Sequence, residues 1–217
     1  MKNNITELVF ILDRSGSMGG LVSDTIGGFN AMIERQKKED GVTLVTTVLF
    51  DTRIDRLHDR LPIAEVPAMT EREYAPGGCT ALLDAVGSTI RHIAQIHRYA
   101  RAEDVPEKTL FVITTDGLEN ASRRYRLDEV RKLIEHEKEK YGWEFLFLGA
   151  NIDAVETARH FGIGRDRAVR YHNDAKGQRL NYEGVSFAMS QVRAGAALGE
   201  DWKEEIERDY QSRGSRR

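Results

Sequence analysis

The sequence predicts an α/β fold, with a doubly wound, mostly parallel central sheet and helices on both faces. Three observations predict it. Apolar runs of strand length alternate with amphipathic stretches of helical length. Two of the runs, Leu8-Val9-Phe10-Ile11-Leu12 and Leu110-Phe111-Val112-Ile113, are continuous, as strands covered on both faces require. At 217 residues, 40% hydrophobic and 31% charged, the chain suffices for one domain with a full core.

Ile5–Leu12 reads as the first strand. Leu21, Val22, Ile26, Phe29 and Ile33 then form a stripe at helical spacing, closing near Lys37-Lys38, whose charges suit a helix C-terminus. Val42–Phe50 is the second strand. Asp51-Thr52-Arg53 turns it into Ile54–Asp59, whose alternation predicts a half-exposed antiparallel edge strand. Leu61–Pro76 holds three of the four prolines and reads as irregular loop. Gly77-Gly78-Cys79-Thr80 opens a long helix with the stripe Leu82, Val86, Ile90 and Ile93, running toward Ala102. Lys108–Thr115 is a buried strand and Leu127–Tyr141 a highly charged helix. Trp143–Leu148 is a strand, Ala154–Phe161 a short helix, Arg167–Tyr171 an edge strand and Ala175–Gly195 an amphipathic helix.

Right-handed crossovers between such strands give the order 3-2-1-4-5-6, with one antiparallel strand at the edge. This order sets the first and fourth strands side by side where the winding reverses. Residues 1–195 are expected as the domain, and 196–217 as a charged, partly helical tail. The basic cluster Arg213-Gly214-Ser215-Arg216-Arg217 reads as a frayed end rather than a binding arm.

Composition narrows the function. A formal charge of −3 argues against general nucleic-acid binding, which needs a basic excess. No apolar stretch has the length of a membrane span or the layout of a signal peptide, so a cytoplasmic protein is expected. Cys79 stands alone, which fits a reducing compartment, and reads as a small half-buried residue beside a loop. The six histidines form no ligand pair at metal spacing, and no phosphate-loop pattern occurs.

The chemistry lies at the strand ends. Asp13-Arg14-Ser15-Gly16-Ser17 puts a carboxylate and two hydroxyls at every second position of a tight turn. Short oxygen ligands on one bend suit a hard divalent cation. A polar turn with Asp13 or Ser17 as N-cap is the plainer reading. Asp51 and Asp153 also stand at strand ends, but they read as a turn residue and a helix cap. The predicted topology brings Asp13 and Asp116 to one crevice. Thr80 starts the helix before the fourth strand, and Leu83 stands where a capping box would need Glu or Gln.

Asp13-Arg14-Ser15-Gly16-Ser17, Gly78-Cys79-Thr80-Ala81-Leu82 and Thr114-Thr115-Asp116-Gly117 together resemble the von Willebrand factor type A domain with its metal-ion-dependent adhesion site. The resemblance spans roughly residues 5–189 and looks like the bacterial or phage stand-alone type. It implies that Ser15, Ser17 and Thr80 ligate Mg²⁺ through hydroxyls. Asp13 and Asp116 would hold bound waters or ligate directly. Mn²⁺ and Ca²⁺ are the other candidate ions.

Mainly neutral ligands leave the cation under-neutralised and ready for an Asp or Glu from a partner protein. The resemblance also implies that Thr80 and Asp116 exchange direct and water-mediated contact, coupled to movement of the C-terminal helix. The expected function is a non-enzymatic, metal-dependent protein-interaction module. Its partner in bacterial relatives is often an ATPase or a multi-protein complex, with no role for nucleic acid or membrane. The alternative is a Mg²⁺-dependent phosphohydrolase with Asp13 as nucleophile, although Ser15 stands where a second acid is expected.

Overall fold

Ile5–Asp13 forms the central strand β1, buried along nearly its whole length in a computed structural model that describes residues 4–214. Val42–Phe50 (β2) pairs parallel on one side of it and Lys108–Thr115 (β4) parallel on the other. Ile54–Pro62 (β3) runs antiparallel to β2, while Glu144–Ala150 (β5) and Ala168–Tyr171 (β6) continue parallel beyond β4. The sheet order is β3-β2-β1-β4-β5-β6, as the alternation of elements predicts.

The helices are Val22–Gln36 (α1), Leu82–Tyr99 (α2), Leu127–Tyr141 (α3), Ala154–His160 (α4), Ala175–Arg193 (α5) and Glu204–Gly214 (α6). Alternate residues of β1 point to opposite faces. Leu8, Phe10 and Leu12 pack in one cluster with Phe29 and Met32 of α1 and Val185 and Met189 of α5. Val9 and Ile11 pack in the other with Val86 and Ile90 of α2 and Val130 and Ile134 of α3. Phe10 meets Phe29 edge-on at 5.4 Å. Each such side chain contributes about 1.5–3 kcal/mol on burial, and two covered faces hold the strand ends in fixed register.

The differences from the sequence reading lie at element ends. β3 continues past Asp59 to Pro62, pairing Leu61 with Val45 and Pro62 with Leu44. Proline is tolerated there because the strand lies at the sheet edge, and register shifts with Arg60 at φ +51° let the ladder resume. α2 ends at Tyr99, short of Ala102, and β5 reaches Ala150. Within the stretch read as a tail, Leu198, Trp202 and Ile206 are buried in the same core as β1, although the solvent face of α6 is charged. Ser215, Arg216 and Arg217 of the basic cluster lie outside the described residues. No helix among the described residues is long and apolar enough to cross a membrane.

Candidate metal centre

Three loops converge above the C-terminal ends of β1 and β4. The first leaves β1 in a turn closed by the Ser15 N–H donating to Asp13 Oδ1 at 2.7 Å. The Tyr74 hydroxyl donates to the Asp13 carbonyl at 2.5 Å, and Arg14 turns aside to Asp51 (3.1 Å) and Asp55. Arg14 is thereby kept out of the site. The Gly77 N–H donates to the Arg14 carbonyl at 2.9 Å and the Gly16 N–H to that of Gly78 at 3.2 Å, stitching the first loop to the second. Gly78 sits at φ +66°, where a Cβ would lie 2.7 Å from Thr52 Oγ1, so glycine is required.

The third loop follows β4. Thr115 Oγ1 donates to Asp13 Oδ2 at 2.7 Å, and the Asp116 N–H to the same oxygen at 3.4 Å. Ser17 Oγ donates to Asp116 Oδ1 at 2.6 Å, and Ser15 Oγ to it at 3.5 Å, with the two seryl oxygens 3.2 Å apart. Thr80 closes the group. Its N–H donates to Asn120 Oδ1 at 2.8 Å, and a Cβ on Gly117 would lie 3.5 Å from its Oγ1. The structure therefore brings Asp13, Ser15, Ser17 and Asp116 into hydrogen-bonding contact. The Thr80 hydroxyl borders the same loop without bonding to the other four.

The electrostatics of this corner are unusual. Asp13 and Asp116 are each only 2% exposed, and among the described residues neither is paired with a lysine, arginine or histidine. Burial raises the Asp13 carboxyl above its ordinary range. The Asp116 charge adds to that, against hydrogen bonds from Ser15 and Thr115. Two buried carboxylates in contact with the hydroxyl oxygens of Ser15 and Ser17, with no cationic side chain paired to them among the described residues, are a donor set that fits a hard divalent cation. Among the described residues no group of three or more His, Cys, Asp or Glu could hold a metal, so the hydroxyls are essential to any such site.

Sequence reasoning missed Asn173 and Tyr74. Asn173, in the loop between β6 and α5, donates from Nδ2 to Asp116 Oδ2 at 3.0 Å, and its own Oδ1 is buried without a partner among the described residues. Neither residue lies in a motif. Only the rule that loops at this sheet end share a crevice could have pointed to Asn173. Asp51 and Asp153 take the structural roles expected of them. Asp51 accepts from the Arg53 N–H at 2.6 Å, and Asp153 caps α4 by accepting from the Glu156 N–H at 3.1 Å. Cys79 is exposed rather than half-buried, because the left-handed Gly78 turns the chain outward there.

The sheet order with its flanking helices matches a von Willebrand factor A-like α/β fold. No family model matches the sequence, and no curated protein matches it. Similarity emerges among solved structures. Proximal thread matrix protein 1 from the mussel byssus, solved with a zinc-occupied MIDAS motif, is 15% identical with a TM-score of 0.56. That match covers 83% of this chain and 44% of that one. The D319A mutant of the PilB minor pilin from Streptococcus sanguinis is 11% identical with a TM-score of 0.60, over 91% of this chain and 62% of that one. At these identities the likeness is one of fold. The chain spans less than two thirds of the length of either structure.

Proposed function

We propose that this chain is a metal-dependent protein-interaction module that docks an acidic side chain of a partner. The observation that carries this reading is the meeting of Asp13 and Asp116, both buried and, among the described residues, unpaired with any basic group, with the hydroxyls of Ser15 and Ser17. Ser15, Ser17 and Thr80 would hold Mg²⁺ through their hydroxyl oxygens, and Asp13 and Asp116 would offset part of its charge, directly or through bound waters. That leaves it electrophilic enough to take a partner's carboxylate. Mn²⁺ and Ca²⁺ are the substitutes that an all-oxygen donor set allows. When bound, the cation supplies a hard electropositive contact for a carboxylate. The zinc-occupied MIDAS motif of the mussel protein, on the same fold, supports a divalent-metal site at this position.

The site is read as non-catalytic. Asp13 is turned into the neighbouring loops, Oδ1 accepting from the Ser15 N–H and Oδ2 from Thr115 and the Asp116 N–H, and Ser15 stands where a phosphohydrolase would need its second acid. The exposed free thiol of Cys79 agrees with a reducing, cytoplasmic setting. A bacterial or phage module acting on an ATPase or another multi-protein assembly is the context we propose, with a protein rather than nucleic acid or membrane as the partner.

Retention of partners from a bacterial extract tests this, with Mg²⁺ against EDTA and with Asp13→Ala as control. A protein held only by the wild-type chain with Mg²⁺ supports the reading. Equal retention in all three arms rejects it, and turnover of p-nitrophenyl phosphate that Asp13→Ala abolishes would install the hydrolase in its place.

A further inference from the structure

The loop that leaves the site after Asp116, residues 117–126, lies outside regular secondary structure yet is fixed by side-chain carboxylates. Asp84, in the first turn of α2, accepts the backbone N–H groups of Arg123, Arg124 and Tyr125, each at 2.9 Å. Glu119 Oε1 accepts from the N–H groups of Ala121 (2.9 Å) and Ser122 (2.7 Å). Its Oε2 accepts from Ser122 Oγ (2.7 Å) and the Leu83 N–H (2.8 Å). Asn120 bonds to Thr80 through both its side chain and its backbone. The Tyr125 ring lies under the Arg91 guanidinium at 5.4 Å, so close to Gly87 that a Cβ there would be 2.5 Å from it.

A segment held this firmly presents its free side chains from fixed backbone positions. Leu118, two residues beyond Asp116, is 67% exposed. Arg123 and Arg124 are exposed, and neither guanidinium has a partner among the described residues, because the anchoring uses only their backbone. A single exposed leucine is ordinary on a protein surface. An exposed leucine and two unpaired arginines on one preorganised loop at the rim of a carboxylate-docking site are a complementary surface.

We propose that loop 117–126 is the second half of the docking surface, and that the partner segment is acidic with an aliphatic residue. One carboxylate goes to the metal centre. The aliphatic side chain packs on Leu118, and at least one further Asp or Glu meets Arg123 and Arg124. This assignment rests on the docking function proposed above. Exposed ion pairs are individually weak, so the arginines act mainly on salt dependence and choice of partner.

The test pans a phage-displayed library of short random peptides on the purified full chain, with Mg²⁺ and with EDTA. The most enriched peptide is then synthesised and titrated against wild type, R123Q/R124Q and Leu118→Ser. Replacing these side chains leaves the backbone bonds to Asp84 in place, and Mg²⁺ titration of each variant checks that the centre is unchanged. The expected result is Mg²⁺-dependent enrichment of peptides with two or more acids and an aliphatic residue. The double variant should then bind about fivefold more weakly, with a shallower salt dependence. Mg²⁺-dependent peptides carrying a single acid, or equal affinity and salt slope in the variants, overturn this inference alone. No Mg²⁺-dependent enrichment at all overturns the docking function and this inference with it.

Discussion

The backbone N–H of Asp116 donates to Asp13 Oδ2 at 3.4 Å, tying the loop after β4 to the end of β1, and both carboxylates are buried there. Hydrogen bonds from Ser15, Ser17, Thr115 and Asn173 satisfy their oxygens but cannot cancel their charge. Like charges held together in a buried corner cost stability, and a bound cation relieves that cost.

Asp116→Asn removes one of the two charges while keeping the side-chain shape. The amide of Asn173 can turn to accept from the new side chain, so the contact survives. The metal-free variant should be at least as stable as wild type, because it sheds one of the two buried like charges. Wild type should gain about 2.7 kcal/mol at a Mg²⁺ concentration of 100 times Kd, and the variant nothing. Thermal melts with and without Mg²⁺ read both quantities.

Asn173→Ala removes the donor on Asp116 Oδ2. A partner that orients a metal-binding carboxylate is worth about tenfold or more in metal affinity. Calorimetric titration with Mn²⁺ should show that loss. The metal-free variant should also lose about 1–3 kcal/mol of stability, because a buried carboxylate oxygen loses its donor, and bound Mn²⁺ should restore part of that loss.

Gly177, in the first turn of α5, packs so tightly on the 172–174 loop that a Cβ would lie 1.9 Å from the His172 carbonyl oxygen. Backbone cannot yield as a side chain can. Gly177→Ala should destabilise the fold by about 1–3 kcal/mol and shift Asn173 away from Asp116. Denaturant unfolding measures the first effect, and weakened Mn²⁺ binding the second.

His58 is 3% exposed, with Nδ1 bonded to Thr47 Oγ1 at 3.0 Å and Nε2 without a partner among the described residues. Burial lowers its pKa from the ordinary 6.5, against a smaller opposing pull from Glu73. The unfolded chain therefore takes up a proton that the fold resists. The stability His58 contributes is complete above pH 6.5 and declines as the pH falls below it. His58→Gln should flatten the decline in denaturant-unfolding stability between pH 7 and pH 5.5.

The fold was legible because each strand carries its own apolar run, and right-handed crossovers leave few ways to order them. Asp13 and Asp116 were legible as neighbours because each stands at a strand end that the strand order sets beside the other. Ser15, Ser17 and Thr80 were singled out by their motifs, and their role as ligands is a proposal. Arg60 and Pro62 show what was hidden. Proline signals a break locally, while the ladder with Leu44 and Val45 is a tertiary fact. Asn173 was hidden for a related reason, since its loop has no motif and acquires meaning only from Asp116 across the crevice. Trp202 and Ile206 lie in a charged stretch whose burial depends on their packing in the β1 core.

Calorimetric titration of metal-free wild-type protein with Mg²⁺, run beside a Ser15→Ala/Ser17→Ala double variant, probes the centre most directly. A single saturable site in wild type, lost in the variant, is the outcome expected of hydroxyl ligands backed by two buried carboxylates. No saturable binding by wild type, or equal binding by the variant, would contradict the metal centre and the docking function built on it.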